Sequence, residues 1–125
     1  MKITCGIDII EVKRIRDSIE KFGNAFLEKI YTPDEIEYCN SKKNRYQHFA
    51  ARFAAKEAIF KAISEKLKNK YDIEWNEIEI LSDESGKPNV NLRKKIENIE
   101  QIDVSLSHLE EYATANCVVI FRKED

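Results

Sequence analysis

The segment from Arg52 to Ala62 constrains the fold more than any other part of the chain. When residues are placed at 100° intervals around a helix, the large apolar residues in and around this segment fall within one narrow arc. The stripe predicts a long helix over 46–67, and we expect it to anchor that helix to a β-sheet. The members of the stripe are Phe49, Phe53, Phe60 and Leu67.

The charged residues of this helix are not where packing alone would place them. A surface helix normally carries its charges opposite its apolar face. Here Glu57 and Lys61 fall just past one edge of the stripe, among alanines that would let another group approach closely. Lys56 points into the apolar arc itself. Arg52 lies beyond the other edge, about 140° around the helix from Glu57.

The first half of the chain is predicted to hold a strand followed by helices. The segment 3–10 is rich in β-branched residues and favours a buried strand. Helical spacing of apolar residues follows over 11–22, and Gly23 is expected to end that helix. Thr32 is a predicted N-cap, because a proline and a glutamate follow it at the first and third helical positions.

The second half is predicted to be mostly strands. Alternating apolar residues indicate a strand around Ile78 and Ile80, followed by a turn at 83–86. The spacing of apolar residues over 92–99 favours a short helix, and the final strands are expected at 102–107 and 113–121. The sequence therefore predicts an α+β fold in one domain, 1–125, with its helices mainly in the first half. A long central helix packs on an antiparallel sheet, which the first strand joins.

Composition narrows the possible functions. The formal charge of −2 argues against nucleic-acid binding, for which a basic excess is expected. The three cysteines, at scattered positions, are expected to be reduced thiols and offer no zinc motif. Neither a signal peptide nor a membrane-spanning segment is predicted, so a cytoplasmic protein is expected.

Asp8 is a carboxylate in a largely apolar strand, where burial without a partner would be costly. It could simply cap the following helix, and Glu57 with Lys61 could be an ordinary ion pair worth about 0.2–0.5 kcal/mol. The combination favours chemistry, since carboxylates from two elements can hold Mg²⁺ and leave positions for water and phosphate oxygens. A lysine one turn along would neutralise the same phosphate.

His108 is predicted at the end of a strand. Alternation places it on the same face as Val104 and Leu106, opposite Ser107. A lone histidine there could be structural. A Ser–His hydrolase is disfavoured, because neighbours on one strand point to opposite faces and the sequence has no nucleophile elbow.

With these elements together, the chain resembles the 4′-phosphopantetheinyl transferases, in particular their small bacterial type, the holo-[acyl-carrier-protein] synthases. The resemblance covers nearly the whole chain. It implies the 4′-phosphopantetheinyl transferase fold. The matching motifs begin at Gly6-Ile-Asp8, at Arg52-Phe-Ala-Ala-Lys56-Glu57 and at Ser105-Leu-Ser-His108, with further matches over 26–32 and 86–88.

The resemblance implies transfer of the phosphopantetheine arm of coenzyme A to a serine of acyl carrier protein in fatty acid biosynthesis. Asp8 and Glu57 would bind Mg²⁺, and Lys61 the pyrophosphate. The general base stays open between Glu57 and a metal-bound water near Asp8. The residues implied on the adenosine 3′-phosphate side are Arg52, His108, Lys43 and Arg45.

The resemblance also implies partners. Family members are trimers with a site at each subunit interface, which would account for an exposed alanine face near Glu57. Arg14 matches a residue that contacts the carrier, and Lys21 lies on the same side of the first helix. A solvated amphipathic helix is the alternative for Lys21. Two other functions stay open: transfer to carriers of secondary metabolism, and a coenzyme A-binding module without catalysis.

Overall fold

The computed structural model describes residues 1–69 and 72–123 and has the predicted α+β architecture. Single turns of 3-10 helix lie at Ser64–Lys66 and Trp75–Glu77. The helices are α1 (Val12–Phe22), α2 (Asn24–Ile30), α3 (Pro33–Asn40) and α4 (Arg45–Ala62), and the strands are β1 (Lys2–Glu11), β2 (Ile78–Ser82), β3 (Pro88–Leu92), β4 (Ile99–His108) and β5 (Tyr112–Phe121).

The strands form two antiparallel sheets. The larger has the order β1-β5-β4, so the first strand joins the last two, as predicted. Asp8 pairs with Ala115 in this sheet, and Ala115 pairs in turn with Leu106. The hairpin β2–β3 forms a separate sheet around a turn in which Gly86 has φ 86°. The expectation of one sheet was therefore wrong for these two strands.

One predicted helix does not form, and one helix of the structure was not predicted. No helix forms over 92–99: Leu92 ends β3, Ile99 begins β4, and Asn98 between them has φ 66°, which a right-handed helix does not allow. Leu92, Ile96 and Ile99 pack on the core from the end of β3, from an irregular segment and from the start of β4 respectively, so their spacing imitated a helix. The sequence also gave no signal for α2, which directly follows Gly23.

The long helix α4 begins one residue before the predicted range and ends five residues earlier. Ile63 is its C-cap, and the chain continues as a 3-10 turn. Leu67 has extended backbone angles and so cannot be part of the stripe on the helix. It still packs against the core from outside the helix.

The alanine side of α4 faces the larger sheet. Gly6 on β1 lies so close that a Cβ there would be 2.0 Å from the carbonyl oxygen of Ala58. Thr4 donates a hydrogen bond of 2.6 Å to the carbonyl oxygen of Ala62. The buried residues Ala54 and Ala58 are thus covered by this chain, and the expectation of an exposed alanine face was wrong.

The phenylalanine stripe packs elsewhere than expected. The Phe53 ring stacks on Trp75 with centroids 4.7 Å apart, and Phe60 meets the same indole edge to face at 5.1 Å. Phe49 contacts the ring of Tyr31 at 4.9 Å. The stripe therefore anchors α4 to the segments around α2 and the second 3-10 turn. The opposite, alanine-rich side of α4 is the side that approaches the larger sheet closely, through the contact of Gly6 with Ala58.

Within residues 1–69 and 72–123, none of the helices combines the length and apolar character that a bilayer crossing requires. The cysteines Cys5, Cys39 and Cys117 are free thiols, as expected. Burial raises the pKa of Cys39 and of Cys117 to about 12.

Candidate active site

Asp8 lies on the face of β1 that is turned toward α4. Its carboxylate is one-fifth exposed and accepts a hydrogen bond of 3.3 Å from Lys61 Nζ. The alternative that Asp8 caps the following helix is wrong, because Glu11 occupies the N-cap of α1 and makes no side-chain cap. Asp8 is therefore compensated from α4, across the contact between strand and helix.

Lys61 bridges the strand and the helix. Its Nζ donates to the carbonyl oxygen of Ile7 at 2.7 Å as well as to Asp8. The side chain is 53% exposed. An ammonium has three N–H donors, so one remains for a ligand beyond these two acceptors among the described residues.

Glu57 connects two adjoining clefts. The first has a volume of about 310 Å³, and it brings Asp8, Glu57 and Arg14 to one concave surface with Phe26 and Phe53 at its apolar wall. The second, of about 330 Å³, is lined by Glu57 and Lys61 and continues past the end of α4. The lining residues that complete the second cleft are Phe60, Ser64, Leu67, Lys68 and Asn69.

Two carboxylates on one cleft fit a magnesium ion. Mg²⁺ usually takes one or two protein carboxylates and fills its other positions with water and phosphate oxygens. The part of the chain that the structure describes contains no group of three or more histidine, cysteine or acidic side chains suited to a metal. Asp8 and Glu57 therefore offer a partial site of the kind that a phosphate-containing ligand completes.

Gly6 positions this site, and sequence reasoning missed its role. The close contact with Ala58 brings β1 against α4 two residues before Asp8. Only a residue without a side chain permits that distance. A glycine two positions before a carboxylate, on the same strand face, was the available signal.

Arg52 is separated from this cleft. It is only 2% exposed, and its guanidinium donates to the carbonyl oxygen of Ile80 at 3.2 Å and to Ser82 Oγ at 3.3 Å. The group lies over the ring of Tyr38, 4.3 Å from its centroid. No carboxylate of the described residues lies within 4.0 Å of it. Arg52 is thus a buried cation without an anionic partner there.

His108 lies beside this region. Its Nδ1 is 2.8 Å from Gln47 Oε1, and its ring meets His48 at 5.2 Å. Burial, then the charges of Arg52, His108 and Lys42, lower the pKa of His48 to about 4. Burial is the main cause, and the charges of Arg52 and Lys42 beside His48 would favour an anion there.

Tyr38 belongs to the same region and was not predicted. Its ring contacts Lys42 Nζ at 4.8 Å and the edge of His48 at 5.9 Å. A hydrogen bond with Ser82, followed by the charge of Arg52 and that of Lys42, lowers the pKa of the phenol. We name the group of Arg52, Lys42, Tyr38, His48 and His108 the cationic cluster, after its cations Arg52 and Lys42.

The remaining predicted residues lie on the surface. Lys43 is exposed in the turn before α4, and Arg45 donates to Asn40 Oδ1 at 3.0 Å. Lys21 rests over the Phe22 ring at 5.2 Å and does not line the first cleft, whereas Arg14 does.

Lys56 looks functional in the sequence but is part of the core. Its fully buried Nζ donates to Glu35 Oε1 at 2.7 Å, to the carbonyl oxygen of Ile30 at 2.7 Å and to that of Trp75 at 3.0 Å. All three donors are used. Glu35 also caps α3 from inside a capping box, so one buried ion pair joins α2, α3 and α4.

The sequence matches the family model of the 4′-phosphopantetheinyl transferase superfamily over residues 4–117. The chain belongs to this family. Among curated relatives, the holo-[acyl-carrier-protein] synthase of Koribacter versatilis is 42% identical over 95% of this chain and 98% of the relative. That of Ruminiclostridium cellulolyticum is 46% identical over 95% and 92%.

Solved structures of the family have the same fold. The ACPS–CoA complex of Chronobacterium ammoniagenes superposes with a TM-score of 0.83 at 27% identity, over 98% of this chain and all of that chain. The Helicobacter pylori holo-[acyl-carrier-protein] synthase in complex with coenzyme A gives 0.81 at 31% identity, over 93% and 99%. The resemblance stated from the motifs is confirmed.

Proposed function

We propose that this protein transfers the 4′-phosphopantetheine arm of coenzyme A to a serine of apo acyl carrier protein for fatty acid biosynthesis. Adenosine 3′,5′-bisphosphate is the other product. The observation that carries the proposal is the contact of Lys61 with Asp8 at 3.3 Å beside Glu57, in a member of this transferase family. Relatives that match nearly the full chain are holo-[acyl-carrier-protein] synthases.

The reaction breaks the pyrophosphate bond of coenzyme A, so negative charge grows on the bridging oxygen that departs. Positioning and electrostatic stabilisation supply most of the catalysis in such transfers. Asp8 and Glu57 would hold Mg²⁺, which when bound supplies positive charge to the phosphate oxygens. Lys61 is placed to donate its remaining N–H to the same pyrophosphate.

The carrier serine must lose its proton as it attacks phosphorus, and it is a weak nucleophile without a base. Glu57 lines both clefts and is one candidate acceptor. A water held beside Asp8 is the other. Lys56 is excluded from this role, because its three N–H groups are engaged with buried acceptors.

We propose that the cationic cluster binds the adenosine 3′-phosphate. A buried charge without an ionic partner is costly, and a phosphate would supply the anion that Arg52 lacks among the described residues. His108 would add a second donor from Nε2 in its imidazolium form. Lys43 and Arg45, at the start of α4, are proposed to assist from the surface.

The carrier surface is proposed around Arg14. Acyl carrier proteins are acidic, and Arg14 is exposed on the cleft that is lined by Asp8 and Glu57. Its position would bring an acidic partner close to the transferred group. Lys21 is proposed as an outlying contact on the same helix.

A homotrimer with shared sites is the proposed assembly of this 125-residue domain. The outer face of β1 exposes Ile3, Ile7 and Ile9 by 63%, 64% and 66%, and Val118 on the adjoining strand is 39% exposed. An apolar sheet face of this kind is typical of a surface that another chain covers. Shared sites would let the cationic cluster of one subunit bind the same coenzyme A as the carboxylates of the next.

A cytoplasmic location stays a prediction.

The transfer is tested by incubating the purified protein with coenzyme A, Mg²⁺ and apo acyl carrier protein. Mass spectrometry should show one phosphopantetheine added to the carrier. Its acceptor-serine-to-alanine variant and a sample with excess chelator are the controls. A carrier that stays unmodified with Mg²⁺ and with Mn²⁺ would refute the activity. Light scattering tests the trimer separately, and a monomer at assay concentration would refute shared sites.

A further inference from the structure

Gln47 and His108 meet where the first turn of α4 lies against the end of β4. The His108 Nδ1 and Gln47 Oε1 atoms are 2.8 Å apart. An amide oxygen only accepts hydrogen bonds, so Nδ1 carries the proton. This contact selects the Nδ1–H tautomer of a neutral His108.

The amide of Gln47 is itself held in place. Asn44 Nδ2 donates to Gln47 Oε1 at 3.1 Å, so the same oxygen receives two donors. The backbone N–H of Gln47 donates at 3.0 Å to the carbonyl oxygen of Asn44, which is the N-cap of α4. The ring of His48 packs edge to face on His108 at 5.2 Å and limits its rotation.

The other nitrogen of His108 remains open. No described residue forms a hydrogen bond with Nε2, and the described chain has no buried side-chain nitrogen or oxygen without a partner. Nε2 is therefore accessible to a ligand. The cations Arg52 and Lys42 both lie over the ring of Tyr38, which meets His48, and His48 packs on His108, so an anion is the favoured ligand.

We propose that Gln47 is a positioning residue: by accepting the Nδ1–H of His108, it fixes the ring so that Nε2 faces the adenosine 3′-phosphate of coenzyme A and, in the imidazolium form, donates its N–H to a phosphate oxygen. The proposal rests on the proposed function, and it extends the proposed binding of the adenosine 3′-phosphate to the choice of substrate. It makes Gln47 a determinant of selection between coenzyme A and 3′-dephospho-coenzyme A, although Gln47 does not touch the ligand in this scheme.

The orientation is tested without coenzyme A. Nitrogen-15 NMR of the histidine rings, at about pH 8.5 where free histidine is neutral, should show the Nδ1–H tautomer for His108. Gln47→Glu retains an acceptor and should keep this signature. Gln47→Met has similar length but no acceptor, and it should shift His108 toward the Nε2–H tautomer that predominates in free histidine. An Nε2–H tautomer in the unchanged protein would overturn the proposal.

Substrate preference is tested by kinetics. Gln47→Met should raise KM for coenzyme A roughly fivefold to tenfold, the effect of one lost hydrogen bond, with kcat nearly retained because binding is what is lost. KM for 3′-dephospho-coenzyme A should stay unchanged, and Gln47→Glu should restore most of the preference. Gln101→Met, the same change at an exposed site on β4, is the matched control.

The outcomes separate this inference from the proposed function. An equal rise of KM for both substrates, or no rise for either, would overturn the inference even if transfer is normal. Absence of transfer by the unchanged protein would instead refute the proposed function. The tautomer measurement still decides the contact between Gln47 and His108 in that case, since it needs no substrate.

Discussion

Lys56 and Lys61 are five residues apart on one helix, but one side chain is buried and the other is exposed. The Lys56 side chain is fully buried with three acceptors, and the Lys61 side chain is 53% exposed with two. Lys56 faces the buried ion pair with Glu35, whereas Lys61 faces the strand that carries Asp8. The comparison shows that the element packed against each side of α4, not the residue type, decides whether a lysine is buried in the core or exposed to a cleft.

Arg52 and Lys56 add a second contrast, because both are buried. Lys56 has the carboxylate of Glu35 at 2.7 Å, but among residues 1–69 and 72–123 Arg52 has only neutral acceptors and the ring of Tyr38. A paired buried charge needs nothing further, whereas an unpaired one is expected to await an anion. The paired and fully buried Lys56 is therefore structural, whereas a ligand role for Arg52 stays a proposal.

The strongest test of the exposed side of α4, which carries Glu57 and Lys61 and faces Asp8, removes the two carboxylates. Asp8→Asn and Glu57→Gln should each lower the transfer rate by about 100-fold or more, since stabilisation of charge in the transition state is lost. Circular dichroism and light scattering should show an unchanged fold and assembly. Near-normal turnover by either variant, measured with the mass-spectrometric assay, would refute the proposed metal site.

The two lysines can be compared directly. Lys56→Met should lower the free energy of unfolding by about 3–5 kcal/mol, because it leaves the buried Glu35 carboxylate without its partner. Lys61→Met, the matched change on the exposed flank, should alter stability by less than about 0.5 kcal/mol but should reduce transfer. Urea denaturation and the transfer assay measure both. Equal stability losses would remove the distinction between the flanks.

Removal of the glycine tests how closely the exposed side of α4 must pack. Gly6→Ala should destabilise the protein by about 1–3 kcal/mol, since the new Cβ would meet the Ala58 carbonyl oxygen at 2.0 Å. It should also impair transfer by moving Asp8 away from α4. Cys5→Ala, at the exposed neighbouring position, is the control for urea denaturation. A Gly6→Ala protein with unchanged stability and activity would contradict this close contact.

A last test concerns the pH dependence of the cationic cluster. The pKa of His48 is lowered to about 4 from the ordinary value of 6.5 in the folded protein. Between these values the unfolded chain binds more protons, so stability should rise with pH from about 4 to 6.5. His48→Gln should flatten this part of the profile of urea midpoint against pH. An identical slope in the variant would show that His48 is not its source.

Much of the site could be predicted from motifs, and the packing could not. The spacing of Glu57 and Lys61, together with Asp8 in an early strand, indicated a phosphate site. The partner of Lys56 could not be predicted, because Glu35 is 21 residues away and reads as an ordinary capping-box glutamate. The apolar spacing over 92–99 misled in the same way, since apolar residues from two strands and the irregular segment between them can reach one core.

By itself, the sequence determined the family and the existence of α4, and it predicted the residues that are proposed to act in the chemistry, because periodicity and motifs are local properties of a chain. Only the tertiary structure decided which charges remain available. Arg52, Lys56 and Lys61 look alike in sequence, yet long-range packing gives them neutral acceptors, a buried carboxylate and an open cleft respectively. The physical reason is that a charge's cost and use depend on its solvent exposure and its partner, which distant segments supply.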